Sequence, residues 1–346
     1  MTDTAPGEHD DSGYVPCKIQ IISRLYEGAD ALDEEAIGRG ANIVDGLVPG
    51  PTRIDIVFAD DFVDAVRENL AVTDPPAAAI YVAHRGAIAA TAKTLPHRDG
   101  NGLEIFVTGD LARVGAPAGE LERLLAHEAF HARLDVQGED MASMRRRRGI
   151  GPDTRLGMLC WISARGCEEY RVEAALPLVG EALGQDMTRD VAELYEGFGH
   201  LARQFAHTAA TAYEQRRLGG TVDQMLYAIN ASMRDVMAVT GYVAAATSST
   251  PTAHDLGLDP EIYDRYLGEP WAGVLTGLRR FDHALRPIGA DAAYDLGLQV
   301  CELVDDWLIR IGFDVTDTDA GMHVEIVDHY FPVPDDGQGD DARVPD

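Results

Sequence analysis

The pentapeptide His127-Glu128-Ala129-Phe130-His131 constrains this chain more than any other feature of its sequence. Apolar residues recur around it at helical spacing, which predicts one helix over residues 119–136. Residues four apart on a helix lie about 40° apart around its axis and one turn along it, so both imidazoles project toward a common point. Because apolar neighbours enclose the segment, its polar side chains are expected to need a partner.

This spacing predicts a metal site. Neutral imidazoles are good zinc ligands, and a carboxylate next to them can take a proton from a water on the metal. We therefore expect His127 and His131 to bind zinc and Glu128 to act as the catalytic base. The alternative is a chance match, in which the three residues are ordinary polar side chains on a solvated helix.

A zinc site of this kind needs a third protein ligand. The longer histidine motif would require glycine at position 134 and histidine at position 137, whereas the chain has Leu134 and Gln137. That class of site is excluded. A carboxylate from a second helix, expected over residues 153–179, is the other solution.

Two neighbouring acids on this second helix compete for the role. Glu169 shares a helical stripe with mostly apolar residues, whereas Glu168 is turned about 100° away. We expect Glu169 to be the third ligand and Glu168 to form a surface ion pair with Arg171 or Arg165. Glu173, one turn beyond Glu169, is in reach of the far ring nitrogen of a zinc-bound histidine.

A hydrolase of this type also uses a hydrogen-bond donor for the developing oxyanion. Tyr170, beside the expected ligand, and His200 and His207, on a later helix, are the candidates from the sequence. For each of them, a purely structural role is favoured over a catalytic one.

The HExxH motif, followed by the segment Glu168-Glu169-Tyr170-Arg171-Val172-Glu173, resembles the gluzincin metallopeptidases and is most similar to the ImmA/IrrE group. It is also similar to membrane-embedded prenyl-protein peptidases, which the lack of long apolar runs excludes. The resemblance covers roughly residues 100–180. It implies a zinc peptidase core with His127, His131 and Glu169 as ligands, Glu128 as base and Glu173 as an outer acid. The spacing between the histidines and Glu169 is longer than this group leads us to expect.

The coarse pattern predicts an α+β fold that is mostly helical. Strands are expected over residues 53–59, 79–83, 86–94 and 103–108, and helices dominate from about residue 119 onward. The further helices are expected at 187–218, 221–246, 259–285 and 290–311, with a short strand at 323–327. We therefore expect a zincin-like core over residues 17–180, an all-helical region over 181–330 that completes the cleft, and acidic disordered tails at 1–16 and 331–346.

Composition restricts the partners. The net charge of −29 disfavours nucleic acid and anionic membranes, because both present phosphate groups. The N-terminus has no apolar segment typical of a signal peptide, and the four cysteines have no CxxC spacing, so a reduced cytoplasmic location is expected. The run Arg145–Arg148 is interpreted as a solvated or ion-paired helix end.

Taken together, these features predict a zinc-dependent peptidase acting on a peptide or protein substrate, bound along a sheet edge near residues 86–94. The alternative is a regulatory or binding protein that keeps a metal-stabilised fold without cleaving peptides. In that case the helical region is expected to receive a regulatory protein partner.

Overall fold

The computed structural model describes residues 15–26, 31–81, 84–85, 88–319 and 321–326. The predicted tails at 1–16 and 331–346 therefore lie outside the described residues, apart from positions 15 and 16. The fold is α+β and mostly helical, with 59% helix and a small mixed sheet, as predicted. The chain divides into two compact units, one formed by Met1–Tyr81 and Thr91–Val136 and the other by Val82–Ala90 and Gln137–Asp346.

The elements are numbered in chain order. The strands are β1 (Lys18–Arg24), β2 (Arg53–Ala59), β3 (His84–Arg85), β4 (Ile88–Ala89), β5 (Ala92–Pro96), β6 (Leu103–Thr108), β7 (Phe313–Thr318) and β8 (Gly321–Ile326). The helices are α1 (Glu34–Leu47), α2 (Phe62–Thr73), α3 (Pro75–Ile80), α4 (Glu120–Gln137), α5 (Met141–Arg147), α6 (Arg155–Glu173), α7 (Leu176–Leu183), α8 (Val191–Arg217), α9 (Val222–Ala246), α10 (Pro260–Tyr266), α11 (Gly268–Leu278) and α12 (Ala290–Arg310).

The first unit is built on a four-stranded sheet in the order β1-β2-β6-β5. The strands β1, β2 and β6 are parallel, and β5 runs antiparallel to β6 at one end of the sheet. β2 and β6 are buried along almost their whole length, as central parallel strands with continuous apolar runs usually are. Both strands were predicted from their sequence.

Other strand predictions were less accurate. The strand expected over 86–94 is displaced, because β5 begins only at Ala92 and a separate two-residue strand, β4, precedes it. The strand expected over 79–83 is wrong at residues 79 and 80, which belong to α3, whereas residues 82 and 83 lie outside the described residues. The cause is local: the Asp74 side chain caps α3, and prolines occupy its first turn, where a missing N–H costs nothing.

The second unit is a helical core that ends in a hairpin of β7 and β8. Large aromatic side chains fill it, and Phe198 stacks on Trp271 with ring centroids 4.9 Å apart. The hairpin corrects the prediction of an all-helical region with one strand at 323–327, although position 327 lies outside the described residues. No helix within the described ranges has the length and apolar character needed to cross a bilayer.

Two helices predicted as continuous are interrupted. The helix expected over 153–179 consists of α6 and α7, and Pro177 sits in the first turn of α7. The helix expected over 259–285 consists of α10 and α11, which meet at Gly268 with a positive φ of 53°. A proline ring and a left-handed residue each end the regular pattern of helical hydrogen bonds.

Arg171 on α6 and Glu139, which follows α4, form a buried ion pair that also contacts the loop before α12. Arg171 is 2% exposed, and its Nη2 donates to Glu139 Oε2 at 2.6 Å while its Nε donates to the carbonyl of Asp282. The other oxygen of Glu139 accepts from the backbone N–H groups of Ile288 and Gly289. Buried charges of this kind are tolerated only when each has its partner.

Replacing Arg171 by Met should therefore destabilise the protein strongly. The variant leaves the carboxylate of Glu139 buried without its cation, which costs about 3–5 kcal/mol of unfolding free energy. Urea denaturation followed by circular dichroism measures the change. The control is Arg217→Met, which breaks a pair that is 62% and 51% exposed and should change stability by less than about 0.5 kcal/mol. Equal effects in the two variants would contradict this assignment.

Candidate metal centre

Helix α4 carries the histidine pair and is firmly held in the first unit. Leu125 and Phe130 are fully buried. Gly40 of α1 allows a close approach, because a Cβ at that position would lie 2.3 Å from Cδ1 of Leu125. At the other end, Arg133 donates to the carbonyl of Leu47 at 2.8 Å. The predicted helix is therefore confirmed, and its apolar face fixes the direction of the polar side chains.

The two histidines face each other across one helical turn. His127 is 5% exposed, and its ring centroid lies 5.0 Å from that of His131. The two Nε2 atoms are 3.2 Å apart. The predicted convergence of the two imidazoles is thus confirmed. At this distance the pair can share one proton or present two nitrogen lone pairs to a single cation.

Glu128 is buried beside this pair and is oriented by Thr94 of β5. The Thr94 hydroxyl lies 2.8 Å from Oε2 of Glu128 and 3.0 Å from the Glu128 carbonyl oxygen, so its single proton is shared between two acceptors. Sequence reasoning did not identify Thr94, because nothing in a strand sequence shows which helix its hydroxyl will meet. The contact fixes the carboxylate on the sheet side of α4.

Glu169 occupies the inward stripe of α6, as predicted, and is 0% exposed. Nη2 of Arg165, one turn earlier, lies 2.8 Å from Oε1 of Glu169. The surface ion pair predicted between Glu168 and Arg171 is wrong, because Arg171 is buried against Glu139, and Arg165 lies beside Glu169. Glu168 instead accepts from the backbone N–H of Met141.

Glu173 is also buried, and its Oε1 accepts from Nη2 of Arg189 at 2.9 Å. The guanidinium of Arg189 lies 4.2 Å from the ring centroid of Tyr242 on α9. Burial, and after it the negative charge of Glu169, raise the pKa of Tyr242 far above its usual value. Tyr242 is therefore a neutral hydrogen-bond donor close to Glu169, and sequence reasoning missed it because it lies more than 70 residues away on another helix.

The donors suggested from the sequence have different surroundings. Tyr170 is half-buried, and burial raises its pKa. His200 and His207 both lie on the exposed face of α8, where Nε2 of His200 is 3.1 Å from the side-chain nitrogen of Gln204. The exposed position of these two histidines suits a solvated helix face.

Two groups of described side chains could hold a metal ion. The first group comprises the two imidazoles of His127 and His131 on α4, with Glu169 on α6 as the carboxylate that could complete it. Two imidazole nitrogens and one carboxylate oxygen are a donor set that suits zinc.

The second group consists of Asp55, His97 and Glu104. Asp55 and Glu104 face each other in register on β2 and β6, and Nε2 of His97 is 3.1 Å from Asp55. Arg53 lies 2.8 Å from the carboxylate of Asp55, and Arg98 lies 3.3 Å from that of Glu104. Both carboxylates are thus already paired with guanidinium groups, which makes this group a charge network of the sheet.

No family model matches the chain, no curated protein sequence matches it, and no solved structure matches its fold. The similarity to gluzincins therefore depends on the residues of α4 and α6 alone.

The surroundings of Glu169 depend on a close contact between α6 and α9. A Cβ at Gly241 would lie 2.7 Å from the carbonyl oxygen of Gly166, 2.9 Å from the backbone nitrogen of Tyr170 and 3.0 Å from Cβ of Glu169. Two of these three atoms belong to the backbone, which cannot move aside as a flexible side chain can. Only glycine fits there without pushing the helices apart.

Gly241→Ala should therefore destabilise the second unit by about 1–3 kcal/mol, as overpacking in a dense core does. The change is read from the urea midpoint. Gly273→Ala in α11 is the matched control, since its new Cβ would meet only Leu303 at an ordinary 3.5 Å. A Gly241→Ala variant as stable as this control would show that α6 and α9 are not in such close contact.

Proposed function

We propose that this protein is a zinc-dependent peptidase in which His127, His131 and Glu169 bind the metal and Glu128 is the general base. The observation that carries the proposal is the histidine pair of α4, in which His127 is buried and His131 half-buried, with Nε2 atoms 3.2 Å apart and the buried Glu128 next in sequence to His127. A buried helix segment with two imidazoles and a carboxylate on one arc is expensive unless it has a purpose.

The residues fit the metal by the chemistry of their donors. Bound zinc would polarise the scissile carbonyl and make a water molecule more acidic. Glu169 brings one negative charge to a site whose other ligands are neutral imidazoles. Arg165, 2.8 Å from the same carboxylate, is suited to hold its second oxygen in a fixed orientation.

Glu128 carries the proton in this proposal. Its carboxylate takes a proton from the attacking water and later delivers that proton to the nitrogen that leaves from the cleaved peptide bond. The Thr94 hydroxyl, 2.8 Å from Oε2, restricts the rotation of the carboxylate so that it keeps one direction throughout. Tyr242, neutral because of its raised pKa, is a suitable donor to the developing oxyanion.

The edge of the first-unit sheet is the proposed place for the substrate backbone. β5 is the last strand of this sheet and pairs with β6. Thr94 in β5 is the residue that contacts Glu128. An extended peptide added along β5 would pair its backbone with an edge strand, which leaves specificity to its side chains. This moves the expected docking segment from residues 86–94 to Ala92–Pro96.

A metal-containing binding protein without peptidase activity is the second candidate. The observation that favours it is that Glu169 and Glu173 each have an arginine partner, Arg165 and Arg189, so neither acid depends on a metal for its charge balance. The peptidase and the binding protein differ in whether Glu128 is needed for turnover.

Glu128→Gln should keep the fold and the zinc while reducing turnover by about 10²- to 10⁴-fold, because an amide cannot take the proton. Hydrolysis of fluorescently labelled casein by the zinc-loaded protein measures this. Glu35→Gln is the control, since the Glu35 side chain is 86% exposed and far in sequence from the motif. Hydrolysis by Glu128→Gln at the rate of the parent protein would exclude the role of Glu128. Absence of cleavage by a parent protein that binds zinc would support the binding protein.

A further inference from the structure

Two cysteines that are 141 positions apart in sequence meet in the core of the second unit. Sγ of Cys160 on α6 lies 3.8 Å from Sγ of Cys301 on α12, and each residue is 2% exposed. All four cysteines of the chain are free thiols. A disulfide requires the sulfur atoms to approach to about 2.0 Å, so a movement of less than about 2 Å would join this pair.

The surroundings of the pair favour Cys160 over Cys301 as the nucleophile. The Cys301 thiol donates its hydrogen bond to Cys160, and this contact, with the nearby positive charge of Arg145, lowers the pKa of Cys160. The same contact raises the pKa of Cys301. A thiolate beside a thiol is the arrangement from which disulfides form.

The pair also lies close to the surface. The phenol of Tyr294 on α12 is near enough to both sulfurs that, after burial, the charge of Cys160 contributes to the raised pKa of Tyr294. Tyr294 is only half-buried, and the guanidinium of Arg148, whose side chain is 49% exposed, lies over its ring at 5.0 Å. Tyr294 and Arg148 thus form a partly exposed edge near the buried pair.

We propose that Cys160 and Cys301 form a reversible disulfide when the protein meets a hydroperoxide such as hydrogen peroxide. This modification site is independent of the proposed peptidase activity. It also gives Arg145 a role that the sequence did not suggest, beyond that of a charged residue at the end of α5.

Two thiols and one hydrogen peroxide supply all the atoms and electrons that the reaction needs. The Cys160 thiolate attacks a peroxide oxygen, the O–O bond breaks, and hydroxide leaves, so that Cys160 becomes a sulfenic acid. Cys301 then loses its proton, and its sulfur attacks that of Cys160 while the S–O bond breaks. The sum is two thiols and one hydrogen peroxide giving one disulfide and two waters, and an added thiol reverses the modification.

The chain permits a sharp test, because trypsin places each cysteine on a separate peptide. Cys160 lies on residues 156–165, Cys301 on 281–310, Cys167 on 166–171 and Cys17 on 1–18. The folded, full-length protein is treated with hydrogen peroxide, alkylated and digested, and the products are identified by mass spectrometry. We expect a linked 156–165/281–310 peptide that has lost two hydrogen atoms and that disappears after dithiothreitol.

Variants separate this mechanism from unspecific oxidation. Cys160→Ser and Cys301→Ser should abolish the linked peptide, whereas Cys167→Ser should leave it unchanged, because Cys167 is not part of the close sulfur pair. Arg145→Gln should slow its formation several-fold at neutral pH, since less Cys160 thiolate is present. The disulfide should also raise the thermal midpoint of the wild-type protein, as a cross-link over a long loop restricts the unfolded chain.

Three results would overturn the proposal. The first is native protein in which Cys160 is oxidised further to sulfinic acid without any linked peptide. The second is a linked peptide that forms only in denaturant, because the pair then meets only in the unfolded chain. The third is linkage of Cys160 to Cys167 or Cys17 instead of Cys301.

Discussion

The burial of a carboxylate on α6 is the constraint on which the account of this protein depends. Glu169 has no exposed surface, and an isolated buried charge costs several kcal/mol unless cations or donors compensate it. Arg165 provides one compensating charge. A metal ion shared with two neutral imidazoles would provide a second, and it would explain why an acid rather than an apolar residue occupies the inward stripe.

The same principle recurs elsewhere in the chain with a different outcome. Glu139 is buried with Arg171 and two backbone N–H groups, and Asp55 and Glu104 are buried with Arg53 and Arg98. In each case a guanidinium group is enough to balance the charge of the buried carboxylate. What distinguishes α4 is that its convergent side chains are imidazoles, which bind zinc when neutral and need no counter-charge.

Local spacing explains what the sequence could predict. The positions of His127 and His131 follow from helix geometry over four residues, and the burial of Glu169 follows from the stripe of apolar residues around it. Both expectations are confirmed by the distance between the rings and by the exposure of the carboxylate. The same reasoning placed Arg171 on the surface and was wrong, because its partner Glu139 lies 32 residues away and leaves no periodic signal.

The other features that the sequence did not predict depend on contacts between distant segments. No residue of β1 is buried and only two are half-buried, so its strand character depends on pairing with β2. Thr94, Tyr242 and the Cys160–Cys301 pair owe their significance to partners on other elements. No pattern within one segment can reveal such pairs, whereas the order of helices and strands follows largely from periodicity and turn residues.

The zinc content of the purified protein tests the central claim most directly. Elemental analysis after dialysis should give about one zinc per chain in the wild-type protein, and much less in His131→Ala and Glu169→Gln variants that retain the wild-type circular dichroism spectrum. A folded wild-type protein without zinc would contradict the account. So would a Glu169→Gln variant that binds zinc as the wild-type protein does, because the carboxylate of α6 would then not be a ligand.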